Sequence, residues 1–277
     1  MTRAASRTAV MVATYRGRAT NRTPALCHDP YALALAGEDG PRYADAYEKA
    51  VPHIELWVAL RTARIDEAVS RALDEGIRQV VVLGAGLDAR AARLARSGVR
   101  FFEVDMPSSQ EDKRARVAEL AGYPVDAATY VPCDFERDDF LDRLVASGFR
   151  TDEPAFFVWE GVSYYLTEAA VRATLSRVAS GTDPRSTIVF DTFGKRFVRG
   201  EVKDGSDLAA RDRVAEMGEP MYFGIDDHVP FLFELGFRKA HVETFDEIAL
   251  NATGTYDRAR KFRFQCLVFA SRERRLA

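Results

Sequence analysis

A glycine turn between two apolar strands constrains this chain more than any other feature. Residues 80–90 read VVVLGAGLDAR and residues 101–105 read FFEVD. They predict a buried strand, a tight turn at Gly84 and Gly86, a helix, and a second strand that ends in acid. In such a βαβ unit, glycines let the backbone approach a ligand, and the carboxylate accepts hydrogen bonds from a ribose. The pattern therefore predicts an adenosine-type cofactor.

The turn discriminates among adenosine cofactors. A dinucleotide fold uses a third glycine to seat the pyrophosphate on the helix N-terminus, but Ala89 takes that position here and Asp88 opens the helix. A carboxylate repels phosphate, whereas S-adenosylmethionine has a sulfonium, an ammonium and no phosphate. We therefore expect S-adenosylmethionine, which leaves as S-adenosylhomocysteine, with Asp88 as one of its contacts. A nicotinamide dinucleotide and a purely structural turn are the alternatives.

The composition excludes several classes of protein. The 277 residues carry a formal net charge of −3, and 47% are hydrophobic, as in a globular chain with one large α/β domain. No stretch approaches about 18 continuous apolar residues, and the N-terminus lacks the apolar run of a signal peptide. Basic residues cluster only at 272–275, and the three cysteines have no metal-ligand spacing. We expect a cytoplasmic protein without nucleic-acid, membrane or metal partners.

Apolar strands alternate with helical segments along most of the chain. This alternation predicts a parallel sheet covered on both faces, which binds ligands beyond the carboxyl ends of its strands. Helices are predicted over 55–75, 108–121, 138–147 and 231–235, and strands over 129–132, 155–159, 187–191, 239–242 and 262–269. Gly84, Asp105, Asp134 and Glu160 each follow a predicted strand, so they should meet at one edge of the sheet.

We expect a single domain over residues 1–277. Residues 1–54 are broken by X-Pro pairs and should form an irregular N-terminal cap over the core. Residues 192–227 are polar and interrupted by glycines, which predicts a lid insertion.

An ordered set of motifs resembles the leucine carboxyl methyltransferase family, and most of all its bacterial branch that includes polyketide carboxyl methyltransferases. The motifs are RTARID (61–66), LGAGLDAR (83–90), FEVDMP (102–107), Lys113, DF (134–135) and EGVSYYL (160–166). The likeness spans about residues 10 to 270. The complete set of motifs in this order is specific to the family, whereas any one motif alone is a weak signal. It implies a class I methyltransferase fold, which is a Rossmann-like α/β fold. Its seven-stranded, mostly parallel sheet has helices on both faces, an antiparallel last strand and an added lid.

The resemblance implies roles for residues at the cofactor's methionine and ribose. Arg61 would pair with the carboxylate of the methionine end, since a guanidinium matches a carboxylate in two hydrogen bonds. Gly84 and Gly86 would allow close backbone approach. Asp105 would hold the ribose hydroxyls, in preference to Glu103, which lies deeper in the strand. The alternative for Arg61 is an exposed helix arginine.

The remaining cofactor residues follow the next two strands. By resemblance, Asp134 would accept from the adenine amino group, and Phe135, where a leucine is common, would contact the ring. The alternative role of Asp134 is the N-cap of the following helix. Glu160 would meet the cofactor's ammonium or else pair with an arginine of the lid. Tyr164 and Tyr165 could face the sulfonium or the substrate, or they could simply pack.

The chemistry of the acceptor divides the possible functions. Methyl transfer from a sulfonium is an in-line displacement. A carboxylic acid with a pKa near about 4 is already ionised at neutral pH, whereas a phenol with a pKa near about 10 needs a base. His228 is the best base candidate among the four histidines, and its alternative is a surface or packing role. We expect O-methylation of a small acid of the secondary-metabolite type to its methyl ester. Hydroxyl methylation with His228 as base is the alternative, ahead of an NAD-dependent oxidoreductase and a non-catalytic scaffold.

Acceptor contacts are predicted from the cap and the lid, where an arginine could neutralise the acceptor's carboxylate. The candidates are Tyr15, Arg16, Arg22, Tyr222 and Phe223.

Overall fold

The computed structural model describes residues 7–203, 205–216, 218, 220–255 and 264–273. Its strands form one seven-stranded sheet in the spatial order β3-β2-β1-β4-β5-β7-β6. They are β1 (Gln79–Leu83), β2 (Arg100–Asp105), β3 (Thr129–Pro132), β4 (Ala155–Trp159), β5 (Thr187–Phe193), β6 (Lys239–Thr244) and β7 (Gln265–Ser271). Only β7 runs antiparallel to its neighbours. The predicted fold class is confirmed, and the strand order reverses between β1 and β4, where such sheets bind ligands.

Helices cover both faces of the sheet. In the described ranges they are α1 (Arg7–Thr20), α2 (Ala32–Ala36), α3 (Gly40–Ala50), α4 (Ile54–Asp74), α5 (Arg90–Arg93), α6 (Pro107–Ala118), α7 (Phe140–Ala146), α8 (Glu168–Gly181), α9 (Lys195–Arg199), α10 (Gly205–Glu216), α11 (His228–Glu234) and α12 (Phe245–Thr253). A 3₁₀ helix spans Ser163–Tyr165. The predicted segments appear as α4, α6, α7 and α11 with their ends shifted by a few residues. The predicted strand over 262–269 is β7, although residues 262 and 263 lie outside the described part.

The core lies on both faces of the sheet because alternate residues of each strand point in opposite directions. Val81 of β1 belongs to one hydrophobic cluster, with Phe157 and Leu175. Its neighbour Val80 belongs to another cluster, with Ile65 of α4. Every residue of β1 and β4 is buried, which explains why these strands are continuously apolar instead of alternating.

The N-terminal residues form a helical layer in which α1 contacts α2, α3 and α4. The segment predicted as a lid begins inside β5 and then forms α9 and α10, which contact each other; α10 also contacts α3. It is thus more regular than its glycines suggest. None of the helices in the described ranges has the length and apolar character that a bilayer crossing requires.

Candidate active site

Two adjacent cavities, which share five lining residues, lie at the carboxyl ends of the strands. The first, the strand-end cavity, has a volume of about 350 Å³ and is lined by the turn after β1 and the residues that follow β2, β3 and β4. The second, the aromatic cavity, has a volume of about 290 Å³ and is lined by α1, α3, α4, α9 and α10. The residues that line both define a junction: Thr8, Val12, Arg61, Gly161 and Tyr165.

The turn after β1 requires glycine. Gly84 and Gly86 have φ values of +66° and +48°, in the left-handed region that favours this residue. A Cβ at Gly84 would lie 2.4 Å from Cγ2 of Val162. The Gly86 N–H donates to Oδ2 of Asp105 at 2.5 Å, so the turn is fastened to the end of β2.

Asp105, and not Glu103, faces the strand-end cavity. The second oxygen of Asp105 accepts from the Met106 N–H at 2.6 Å, and burial raises the pKa of its carboxyl above the ordinary value. Glu103 is fully buried in an ion pair with Lys113 at 2.5 Å and does not line the cavity. The predicted preference for Asp105 as the ribose residue therefore agrees with its position.

Asp88 lines the strand-end cavity, but its charge is neutralised within its own turn. Its oxygens accept from the backbone N–H of Arg90 at 2.6 Å and from the Arg90 guanidinium. Burial would raise the pKa of Asp88, but Arg90 and Arg16 outweigh burial and hold it far below the ordinary value. The free negative charge that the sequence suggested at this position is corrected to a buried ion pair.

Arg61 and Glu160 lie together at the wall of the strand-end cavity. Arg61 is 2% exposed; its Nε donates to Oε1 of Glu160 at 2.8 Å and its Nη1 to Oδ2 of Asp191 at 2.5 Å. The other oxygen of Glu160 lies 2.6 Å from Nη2 of Arg90. The alternative of an exposed Arg61 is wrong. The alternative of a lid arginine on Glu160 is also wrong, because the arginines that pair with Glu160 are Arg61 of α4 and Arg90 of α5.

These charges suit the two ends of an amino acid. Burial raises the pKa of Glu160, but Arg90 and Arg61 outweigh burial, so the net pKa lies below the ordinary value and the group stays ionised. A carboxylate ligand can share Arg61, and an ammonium ligand can share Glu160. Asp191, which the sequence reasoning missed, accepts from the Gly161 N–H at 2.7 Å and fixes both Arg61 and the loop after β4. Its only sequence signal is an acid inside an apolar strand.

Asp134 and Phe135 line the far part of the strand-end cavity. Asp134 accepts from the Glu136 N–H at 3.0 Å. It is not the cap of α7, because Asp139 fills that position and accepts from two backbone N–H groups of the helix. The Phe135 ring packs 6.3 Å from that of Trp159. The predicted adenine-binding residues thus share one wall with Asp105.

The charge of the strand-end cavity favours a cationic ligand. The charged residues among its described lining are four acids and two arginines: Asp88, Asp105, Asp134, Glu160, Arg16 and Arg61. Asp88 and Glu160 are paired with Arg90, and both lining arginines are paired with carboxylates, Arg16 with Asp29 and Arg61 with Glu160 and Asp191. A pyrophosphate would therefore find no unpaired cation among the described lining, whereas a sulfonium and an ammonium can approach carboxylates. The residues present therefore fit S-adenosylmethionine and disfavour the dinucleotide alternative.

The aromatic cavity has the opposite charge and an apolar wall. The rings of Phe193 and Phe197 stack with centroids 5.2 Å apart, and those of Phe197 and Phe264 stack 5.4 Å apart. Tyr164 meets Phe193 edge to face at 4.8 Å. The charged residues among the described lining are four basic ones and one acid: Lys49, Arg61, Arg211, Arg213 and Asp207.

Tyr164 and Tyr165 line the two cavities at different places. Tyr164 lines only the aromatic cavity, and its hydroxyl interacts with Arg61. Burial and the neighbouring Asp191 raise the pKa of Tyr164, so its hydroxyl stays protonated and can donate a hydrogen bond. Tyr165 belongs to the junction and its ring lies 4.6 Å from that of Tyr164.

Four of the five predicted acceptor residues line neither cavity. Tyr15 is fully buried and donates to the Ala44 carbonyl at 2.6 Å. Arg22 pairs with Glu55 at 2.7 Å on the surface. Tyr222 is 65% exposed, and Phe223 belongs to the core beneath the sheet. These assignments are corrected, because polarity and segment position did not tell which side chains face inward.

Arg16, the fifth, lines the strand-end cavity instead of the aromatic one. It pairs with Asp29 at 2.9 Å and donates to the Leu87 carbonyl at 2.7 Å, which ties α1 to the turn after β1.

His228, the candidate base, also lines neither cavity. It begins α11, and its Nε2 lies 3.3 Å from Sγ of Cys266 on β7. Burial lowers its pKa. A base must reach the proton that it abstracts, so the structure contradicts this role for His228.

Comparisons with known proteins show the family and the fold. A model of the leucine carboxyl methyltransferase family matches residues 9–179. A protein of Frankia alni, named as a candidate S-adenosyl-L-methionine-dependent methyltransferase, is 35% identical over 251 residues, which cover 86% of this chain and 83% of that protein. A similarly named protein of Mycobacterium avium is 33% identical over 263 residues, covering 89% and 83%. The solved structure of a DUF574 family protein from Streptomyces avermitilis has the same fold, with a TM-score of 0.67 at 15% identity, over 97% of this chain and 98% of that one.

Proposed function

Since the chain belongs to the leucine carboxyl methyltransferase family and is an S-adenosylmethionine-dependent methyltransferase, we propose that it methylates a carboxylate oxygen of a small-molecule acid and forms a methyl ester. The observation that carries the proposal is the different set of charged residues that lines each of two adjacent cavities. The strand-end cavity is lined by more acids than bases, and the aromatic cavity by more bases than acids. A cationic methyl donor and an anionic acceptor are each attracted to a different side of one junction.

The junction supports an acceptor that needs no deprotonation. Among the described residues that line both cavities, none has a carboxylate or an imidazole. A carboxylic acid is ionised at neutral pH and can attack as it is, whereas a hydroxyl needs a base within hydrogen-bond reach. Positioning and charge are then the main demands on the protein.

The chain's own residues meet those demands. S-adenosylmethionine, when bound, supplies the methyl group on a sulfonium that is a good leaving group. Glu160 and Arg61 hold the ammonium and carboxylate of its amino-acid end, and Asp105 orients its ribose. The Tyr164 hydroxyl, which stays protonated, can donate a hydrogen bond to an acceptor in the aromatic cavity. The ring of Tyr165 lines both cavities and offers an aromatic face to a cation.

One observation favours a second candidate, methylation of a hydroxyl group. Asp207 is buried at the wall of the aromatic cavity, and a buried carboxylate can serve as a general base for a phenol. Asp207 does not belong to the junction, so it would have to act on an acceptor bound deeper in the cavity.

The two candidates differ in their product and in their pH dependence. Purified protein is incubated with S-adenosylmethionine and either an aromatic acid or the matching phenol. We expect methylation of the acid at a rate that is nearly constant from about pH 6 to pH 9, since the acceptor is ionised throughout. The product should release methanol in mild base, as esters do and aryl ethers do not. A base-stable product whose formation is lost in Asp207→Asn would overturn the proposal in favour of the phenol.

A further inference from the structure

We propose that the hydroxyl of Ser109 is a second ribose-binding group for S-adenosylmethionine: it donates to Asp105 and accepts from the ribose hydroxyl that Asp105 does not bind. The inference concerns the methyl donor, so it goes beyond the proposed function and holds for any acceptor. It rests on the hydrogen bonds that Asp105 already makes, on the position of Ser109 in the strand-end cavity, and on the support of its helix.

The carboxylate of Asp105 has little hydrogen-bonding capacity left for a ligand. Its Oδ2 accepts from the Gly86 N–H at 2.5 Å, and its Oδ1 accepts from the Met106 N–H at 2.6 Å. The Ser109 hydroxyl donates to the same carboxylate. An ionised carboxylate offers about four lone-pair sites, so roughly one remains. A ribose presents both a 2′ and a 3′ hydroxyl, and Asp105 alone does not satisfy both.

Ser109 can accept the hydroxyl that Asp105 leaves. A serine hydroxyl is a donor and an acceptor at once, so donation to Asp105 leaves lone-pair capacity on its oxygen. Ser109 lines the strand-end cavity together with Asp105 and Met106. It is partly exposed, as a group that meets a ligand must be. Asp105 and Ser109 together therefore match the two hydroxyls of a ribose.

The other hydroxyl side chains of this cavity lie at a different place. Among the described residues that line the strand-end cavity, those with a hydroxyl are Thr8, Ser109 and Tyr165. Thr8 and Tyr165 belong to the junction, where the Thr8 hydroxyl lies 3.5 Å from that of Tyr47. Ser109 lines the strand-end cavity alone, as Asp105 does. Its position thus favours Ser109 over the other two as the partner of Asp105.

The helix that carries Ser109 is fixed at the end of β2. Ser109 lies in the first turn of α6. The next residue, Gln110, is buried and donates to the carbonyl groups of Glu103 at 2.8 Å and Val131 at 3.1 Å. One turn further on, Lys113 forms its buried ion pair with Glu103. A hydroxyl on such a rigid support needs little further ordering when a ligand binds.

Isothermal titration calorimetry with S-adenosylhomocysteine and its 2′-deoxy and 3′-deoxy analogues tests the contact. Ser109→Ala removes the hydroxyl. We expect this variant to bind S-adenosylhomocysteine about three- to tenfold more weakly than the unmodified protein does, since a neutral hydrogen bond is lost. For at least one deoxy analogue the loss should be less than about twofold, because that ligand lacks the hydroxyl that Ser109 binds.

Ser108→Ala is the matched control. Ser108 precedes Ser109 in the same turn of α6 but lines neither cavity. The control variant should bind S-adenosylhomocysteine and both analogues as the unmodified protein does.

The comparison of ligands separates a ribose contact from a supporting role. A loss in Ser109→Ala that depends on a ribose hydroxyl supports the inference. An equal loss for all the ligands overturns it, because Ser109 then acts only by orienting Asp105. Unchanged binding of S-adenosylhomocysteine in Ser109→Ala, or the same loss in Ser108→Ala, also overturns it. These outcomes are independent of the acceptor, so the proposed function stands or fails separately on its methylated product.

Discussion

Replacing Arg90 with methionine should be among the most damaging single changes in this protein. Arg90 is completely buried and holds three carboxylates: its Nε lies 2.6 Å from Asp66, its Nη2 lies 2.6 Å from Glu160, and its Nη1 binds Asp88. In the variant, Asp66 still forms an ion pair with Arg93, and Glu160 still forms one with Arg61. Asp88, however, loses its ion pair with Arg90. Removing one partner of a buried pair costs about 3–5 kcal/mol, because the other charge stays buried and uncompensated.

The matched control is Arg177→Met. Arg177 also contacts two carboxylates, Asp139 and Asp142, each at 2.7 Å, but its side chain is 38% exposed. Surface pairs contribute about 1 kcal/mol or less, since water screens them and holding the side chains costs entropy. Urea unfolding followed by circular dichroism at pH 7.5 gives both free energies of unfolding. A loss in Arg90→Met no larger than in Arg177→Met would refute the reasoning, and Arg90→Lys provides a milder variant if the methionine protein does not fold.

The penalty in Arg90→Met should shrink as the pH falls. In the unmodified protein the pKa of Asp88 is depressed, so its contribution to stability is present above the unfolded-state value near about 4 and is lost only as the pH falls through the lower folded value. In the variant the largest attraction on Asp88 is lost while Arg16 and Arg93 still act on it, so its folded pKa lies above that of the unmodified protein and less of this stabilisation is present. The difference in unfolding free energy should therefore shrink as the pH falls below about 4.

Three further predictions concern the site. Asp105→Ala should weaken S-adenosylmethionine binding by about 1–3 kcal/mol in calorimetry. In the unmodified protein, burial raises the pKa of Asp105, so the affinity for S-adenosylmethionine should decline on acidification at a pH above the ordinary pKa of aspartate. Gly84→Val should lose cofactor binding, since its Cβ would lie 2.4 Å from Val162 at a φ of +66°, and Val162→Ala in the same protein should not restore binding if the backbone angle dominates. His228→Ala should keep the turnover number within about twofold, and a loss of a hundredfold or more would return His228 to the mechanism.

Much of the cofactor side could be predicted from sequence because it depends on local patterns. A buried strand followed by a glycine turn or an acid places its last residue at the carboxyl edge of the sheet, wherever the strand lies. Gly84, Asp105, Asp134 and Glu160 all lie on one cavity for this reason. The charges beyond them depend on tertiary pairing: Asp191 meets Arg61 across 130 positions of the chain, and no local pattern announces that contact.

The aromatic cavity could not be predicted because three separate elements build its stacked rings. Phe193 ends β5, Phe197 lies on α9 and Phe264 precedes β7, and only the folded chain stacks their rings. The choice of Tyr15 and Tyr222 from polar or irregular segments failed for the same reason, since one is buried among helices and the other is exposed. Segment polarity indicates a surface layer without indicating which side chains face the cavity.

The central claim is that donor and acceptor occupy separate cavities that meet at Gly161 and Tyr165. A crystal structure with S-adenosylhomocysteine and an aromatic acid together tests it most directly. We predict the adenosine beside Asp105, the rings of the acid against Phe193 and Phe197, and a carboxylate oxygen facing the sulfur across the space of one methyl group. An acid bound elsewhere, or with its carboxylate directed away from the sulfur, would contradict the account.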